Sequence, residues 1–290
     1  SRKGQGRYTL QGAFSAMGNS RQLRPWRLVF SVLLIHWIGA GGQGFLRPRS
    51  FTPSKRGYRH GVATCAARQV PKEKEDFSIA GLALVGSCLG PFVDAIHNQA
   101  LLSYDVLPVS MNLGLGFAKT SLLVPPLLAI AYALLGSLLP RVLETITGLN
   151  STVGSLPLLR PPPGLRAALA VVSTCFIIKS SELLLLVTSG QSALLLLSLL
   201  AFLQWATLDG RKSSLILAVL AGILGPLAEL PLMYLGAWHY ITPDYWPLTF
   251  CGFGPGMTTW AGLSMVTGPC YFAVTTDAIA LGRLFAGKTG

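Results

Sequence analysis

Charge is scarce in this chain: only 12% of its 290 residues are Asp, Glu, Lys or Arg, about half the share of an ordinary soluble domain. Acids are scarcest, 11 against 23 basic residues. With 51% hydrophobic residues and a mean hydropathy of +0.54, too few polar side chains remain to meet water over a whole surface. Water is thereby excluded as the main solvent, and the bilayer takes its place. The five cysteines (Cys65, Cys88, Cys175, Cys251, Cys270) form no C-x-x-C pair and keep no regular spacing, which excludes a disulfide framework and a zinc motif. Four of them sit in or beside apolar runs, where a free thiol behaves as a small hydrophobe. The four histidines (His36, His60, His97, His239) are far apart in sequence, so no metal-ligand cluster follows. No nucleophile–base pair is visible either. The chain reads as non-enzymatic, with no catalytic residue, no metal, and no cofactor beyond a bound sterol, lipid or pigment.

The net charge of +12 is concentrated at one end. Residues 1–75 hold fourteen basic and two acidic residues, whereas the remaining 215 hold nine of each. The basic pI therefore describes an N-terminal arm and not the body. Nucleic-acid binding would need basic residues interleaved with aromatics on a folded surface, and that pattern is missing. The arm reads as an address. Met17 is taken as the start; Arg21, Arg24 and Arg27 precede the apolar stretch Leu28–Ala40, and small residues Gly39–Gly42 follow. That order is the charged, apolar and small-residue sequence of a secretory signal. Thirteen helical residues reach only about 20 Å, too short to span. From Phe45 to Arg68 the chain is rich in Arg and Ser and has no acid, a transit-peptide composition. A signal followed by a Phe-led basic segment resembles the bipartite leaders of algae with secondarily acquired plastids. The expected organisation is a largely disordered leader over 1–76 and a membrane domain over 77–290. A plastid membrane, thylakoid or envelope, is the favoured location, and the endoplasmic reticulum with a signal anchor is the alternative.

Apolar runs occupy 78–96, 118–140, 165–188, 191–208, 213–237 and 258–282. Each is long enough to span or nearly so, which predicts an all-α, polytopic bundle of six transmembrane helices. Ser189-Gly190 makes a tight turn between the third and fourth. Loop charge sets the orientation. One side holds Arg141, Arg160, Arg166, Arg211, Lys212, Arg283 and Lys288; the other holds Asp105, Asp244 and only Lys119. Both termini therefore face the cytosol, or the stroma in a plastid.

Four motifs carry a family resemblance. Val124-Pro125-Pro126, then Gly136 and Pro140, resembles the "VPP…G…YP" second span of the Insig (insulin-induced gene) proteins. Trp205 to Ser213 (WATLDGRKS) is similar to that family's "WWTFDRSRSG". Tyr234 to Tyr245 (YLGAWHYITPDY) is similar to its "YNGVYQYTSPDF". Gly268-Pro269-Cys270-Tyr271-Phe272 with Gly282-Arg283 resembles its "LPCIFF…GR". The likeness covers about residues 78–285, with the same span count and orientation. The chain departs from the family at Arg141-Val142-Leu143-Glu144 and Ile177-Ile178-Lys179-Ser180-Ser181-Glu182, and in the expanded loops 141–165 and 246–257. The resemblance implies an Insig-like fold that binds a sterol or lipid between helices and engages another membrane protein. It implies that Asp209, beside Arg211, contacts that partner, because the matching Asp of the family binds the sterol-sensing escort protein. A charged cluster solvated at a helix exit is the simpler alternative.

Gln191 and Trp205 lie fourteen residues apart, roughly 20 Å along a helix, and with Tyr234 are candidates to bracket a flat apolar ligand; an interfacial turn and an aromatic belt are the favoured explanation. Lys179 and Glu182 share a helix face and are expected to pair. With Glu229 and Asp277 they make up the ionisable set inside the spans, where such groups face the bundle interior and are paired or functional. Asp94, at the end of the first span, is assigned to boundary hydration. Glycines and prolines within the spans are assigned to packing. Three functions compete: a non-enzymatic regulator or adaptor with a lipid ligand and a membrane-protein partner, a plastid membrane protein serving a photosynthetic complex or lipid handling, and a small transporter using the buried acids.

Overall fold

The computed structural model describes residues 72–97, 101–112, 117–147 and 161–287. The leader up to residue 71, and with it Arg160 and Lys288, lies outside the described residues. The chain divides into two compact units, and the fold below is that of the unit formed by residues 69–111 and 118–290.

Helix α1 (Lys72–His97) begins inside the stretch assigned to the leader junction, because Lys72 to Asp76 continues the same helical run. Helix α2 (Val124–Ala133) starts on Pro125 and Pro126, whose fixed φ suits a first helical turn. It passes through one π-helical turn, Leu134–Leu138, into α3 (Leu139–Thr147). Helix α4 (Pro163–Val187) likewise begins on a proline. Ser189 then caps α5 (Gly190–Leu208), its hydroxyl accepting from the Ser192 amide at 3.3 Å. Asp209 and Gly210, the latter at φ 66, turn the chain into α6 (Lys212–Tyr234), and α7 (Thr267–Phe285) closes the fold. Gly210 supplies the left-handed conformation that other residues adopt at a cost.

Among the described residues, five helical stretches are long and apolar enough to cross a membrane: Ile79–Ile96, Val124–Thr147, Pro163–Val187, Gly190–Leu208 and Lys212–Tyr234. At 18 to 25 residues they measure roughly 27–38 Å, against a hydrocarbon core of about 30 Å. Their outward faces carry exposed Ile130, Leu186, Leu195, Ile223 and Leu224. These faces are compatible with an integral membrane protein, since lipid and not water suits them.

Helix α7 is different. Twelve of its 19 residues are buried, including Thr275, Thr276 and Asp277, and it packs against every other long helix. Shielded by neighbours, it tolerates polar groups that would be expensive against lipid, and by composition it falls outside the set of five. It also begins later than the run 258–282 suggests. Residues 258–266, a neutral stretch in which Thr258, Thr259, Gly262 and Ser264 interrupt the apolar residues, form turns and an isolated bridge between Tyr245 and Leu263. Close approach defines the α7 contact. A Cβ on Gly282 would overlap the Gly136 carbonyl oxygen in the π turn, so the two backbones touch where only glycine fits.

The all-α expectation needs one amendment. Strand β1 (Leu102–Tyr104) pairs antiparallel with β4 (Trp238–Tyr240), Leu102 opposite Tyr240 and Tyr104 opposite Trp238. A second small sheet joins β2 (Pro108–Asn112) and β3 (Phe117–Ser121). The first sheet lies in connections that the sequence leaves unassigned, whereas β3 takes residues 118–121 from the run assigned to the second span, so that helix starts only at Val124.

Candidate functional site

The β1–β4 ladder decides which side chains enter the bundle. Side chains alternate along a strand, so Trp238 and Tyr240 turn inward and are buried while His239 points outward. On the outside, His239 Nδ1 lies 2.7 Å from Asp105 Oδ2. On the inside, Tyr240 donates to Glu229 Oε2 at 2.9 Å and Trp238 Nε1 to the same oxygen at 3.4 Å. Tyr271, in the first turn of α7, donates to Glu229 Oε1 at 2.9 Å. Tyr240 also lies 3.0 Å from the Thr267 hydroxyl. Glu229 is 8% exposed and therefore needs these donors, because an unpaired buried carboxylate is costly.

Asp94, at the end of α1, belongs to the same region. Tyr104 donates to its Oδ2 at 2.5 Å and Thr120 at 2.9 Å. Boundary hydration is thus the wrong reading of Asp94; protein hydroxyls solvate it. Asp94 and Glu229 share the walls of two adjoining cavities, of about 120 and 310 Å3, whose common lining includes Leu102, Leu128 and Tyr271. Elsewhere the smaller cavity is apolar, walled by Val93, Ile178 and Val274. The result is a space between α1, α2, α6 and α7 with greasy sides and one acid-and-tyrosine end.

Two of the tyrosines lie outside the spans. Burial, and then Asp94, hold the Tyr104 phenol well above its usual range; burial, and then Glu229, do the same for Tyr240. Both phenols therefore remain donors at neutral pH. A folded-state value raised above the unfolded one of about 10 contributes stability that is complete below about 10 and is lost as pH rises beyond it. Thermal unfolding in detergent should show a fall in stability that sets in as pH rises above about 9.5. The fall should shrink in the double variant Tyr104→Phe/Tyr240→Phe, and an equal fall in that variant would refute the assignment.

The remaining predicted residues fall in several places. Lys179 Nζ meets Glu182 Oε2 at 2.5 Å on α4, as their spacing requires. Asp277 is fully buried on α7, with the Tyr132 hydroxyl 3.5 Å from its Oδ2. Tyr132 itself lines the smaller cavity, so Asp277 stands one residue behind its wall. Among the described residues no hydrogen bond or ion pair links the Lys179–Glu182 pair, Glu229 and Asp277 into one network. Asp209 is buried and ion-paired with Arg283 of α7, and it accepts from Ser214. Trp205 is buried too, its indole nitrogen 3.1 Å from both the Arg211 carbonyl and Ser214 Oγ. Asp209, Arg211 and Trp205 thus form one elbow between α5 and α6. Gln191 is exposed near the opposite end of α5. Tyr234 is 68% exposed and stacks edge-on against Trp260 at 5.2 Å. Gln191, Trp205 and Tyr234 therefore do not converge on one pocket.

Sequence reasoning missed Asp94, Tyr104, Trp238, Tyr240 and Tyr271 as a group, and also Gln204. The Gln204 amide is buried and donates to the Ala170 carbonyl at 3.0 Å and Thr174 Oγ1 at 2.8 Å, tying α5 to α4. The alternation Trp238-His239-Tyr240 was the available signal for an inward aromatic pair. Among the described residues, no group of three His, Cys, Asp or Glu side chains converges as a metal site would require.

Together these features define a helical bundle of membrane type whose inter-helix cavity ends in two hydrogen-bonded carboxylates. Compared with family models and with curated proteins, the sequence matches none.

Proposed function

We propose that this protein is a non-enzymatic integral membrane regulator of six spans that takes a hydroxyl-bearing amphipathic lipid, of sterol type, into the cavity beneath the β1–β4 sheet. The observation that carries the proposal is the shape and chemistry of that cavity: apolar walls around one end bearing Glu229 and Asp94. A rigid apolar body fits against Val93, Leu128 and Val274, and its hydroxyl donates to Glu229. A carboxylate offers about four acceptor positions, and Tyr240, Trp238 and Tyr271 use three. One remains for the ligand. The ordered motifs that resemble the Insig proteins support the same class of ligand and the sixth span at α7, whose polar residues are shielded by the five apolar helices.

The partner reading follows from the helices. Helices α6 and α7 carry Glu229 and Tyr271 at the cavity and close the elbow through Ser214, Asp209 and Arg283 at the far end. A ligand that favours one packing of α6 on α7 biases the elbow, and a membrane-protein partner reads it there through Arg211. This is a population shift. Asp209 acts by holding the elbow, since its carboxylate is buried. The composition of residues 17–76 favours a plastid membrane as the location, with the endoplasmic reticulum as the alternative; a fluorescent fusion of that segment separates them.

Equilibrium binding of a fluorescent sterol to the purified full chain tests the ligand class. A competitor with a free 3-hydroxyl should displace it at least about tenfold better than the matching 3-ketone, because only the alcohol donates to a carboxylate. Equal displacement by both would remove the proposed role of Glu229.

A further inference from the structure

At the other end of the bundle lies a small cavity of about 60 Å3, lined by Ser137, Arg141, Glu144, Arg211 and Arg283. Three elements bring these residues together: the π turn with α3, the α5–α6 elbow, and the last turn of α7. Arg166, at the start of α4, is within electrostatic reach of both Arg211 and Arg283. Four guanidiniums thus converge with two carboxylates, Glu144 and Asp209, leaving an excess of two positive charges. Both carboxylates are engaged. Asp209 pairs with Arg283, and Glu144 accepts from Ser213 at 3.4 Å.

A positive excess alone is what loop charge at a bundle end produces. A second observation concerns hydrogen bonds. Ser137 is 3% exposed, lines the cavity, and its hydroxyl has no partner. Arg166 Nε is also buried without a partner. Buried donors are nearly always satisfied, and each exception asks for a ligand or water. Ser137 sits in the π turn, a helix defect that recurs at functional sites. A space of this size holds about two waters, comparable to one tetrahedral oxyanion.

We infer that this cavity binds a phosphate oxyanion, held by Arg141 and Arg211 with a hydrogen bond from Ser137. The guanidinium fork matches a phosphate through two parallel hydrogen bonds. Basic pockets between helices at this depth take lipid headgroups, and the same chemistry accepts free phosphate. The site is separate in space from the sterol cavity, which lies at the opposite end of α6 and α7.

The test uses the full chain, purified in neutral detergent, with three probes: dioleoyl phosphatidylglycerol, dioleoyl phosphatidylcholine and inorganic phosphate. Native mass spectrometry reads lipid retention, and thermal unfolding reads phosphate. Selective retention of phosphatidylglycerol, weakened about tenfold or more by Arg211→Gln and by Arg141→Gln, supports the site with a lipid source. Stabilisation by phosphate without preference between the lipids, lost in the same variants, supports it with a free source. Arg211→Gln alone could loosen the elbow, so Arg141→Gln, on a different element, serves as the second variant, and Lys119→Gln at the far end should change nothing. Equal retention of both lipids and no phosphate effect in the wild type, or unchanged binding in both arginine variants, overturns the inference.

Discussion

Arg283→Ala should lower the stability of the folded protein by about 3–5 kcal/mol, the usual result of removing one member of a buried ion pair. The reason is the environment of Asp209. Its side chain is 4% exposed and that of Arg283 13%, so the substitution strands a carboxylate away from water with only Ser214 to solvate it. At about 2–4 °C per kcal/mol for a chain of this size, the melting temperature in detergent should fall by roughly 6–20 °C. The double variant Asp209→Asn/Arg283→Gln should lose much less, because two neutral amides can hydrogen-bond where one isolated charge cannot. Thermal unfolding followed by tryptophan fluorescence compares the two directly, with buried Trp205 beside the pair as a reporter. Should the single variant melt like the wild type, the pair does not hold the α5–α6 elbow to α7.

The second large effect concerns Glu229. Glu229→Gln keeps the size of the side chain and one acceptor oxygen but gives up the charge, so a bound hydroxyl loses its charge-assisted hydrogen bond. Such bonds contribute about 1.5–3 kcal/mol, and sterol binding should weaken roughly 10- to 150-fold. Glu229→Leu goes further. It leaves Tyr240, Trp238 and Tyr271 without their common acceptor, and each stranded donor costs about 1–3 kcal/mol. The leucine variant should therefore lose both ligand binding and fold, and the glutamine variant mainly binding. The contrast separates a ligand contact from a structural anchor. If the glutamine variant binds sterol as tightly as the wild type, Glu229 is only an anchor.

The legible part of this fold was the part encoded locally. Long uncharged runs dictate helices, Ser189-Gly190 marks a turn, and Lys179 and Glu182 are three residues apart on one helix and do pair. Basic residues assigned to one side by loop charge also lie together, since Arg141, Arg211 and Arg283 line one cavity. Helix α7 was harder. Apolarity located it approximately but set its start too early, because the neutral residues 258–266 resemble a span in composition and turn in space.

The cavity was scarcely legible, for a physical reason. Asp94, Tyr104, Glu229, Tyr240 and Tyr271 come from five elements, and their meeting depends on a three-residue ladder between β1 and β4 separated by more than a hundred residues of chain. No period within one segment carries that information. The misreading of Asp94 follows from it: an acid at a span boundary meets water by default, and only the arrival of Tyr104 and Thr120 from outside α1 changes its partners. Asp209 reversed in the same sense. Beside Arg211 and Lys212 it resembles a solvated exit cluster, yet Arg283, seventy-four positions later, buries it.

A map of where a photoreactive hydroxysterol attaches tests the central claim most directly. With the full chain in lipid nanodiscs, irradiated and digested for mass spectrometry, labels should fall on the cavity walls, in peptides containing Leu128 and Tyr132 of α2 and Tyr271 and Val274 of α7. An excess of unlabelled sterol should abolish them. Labels confined to the outward faces around Leu195 and Ile223, unaffected by competitor, would mean that the probe touches the bundle only as bulk lipid does, and the cavity would not be a ligand site.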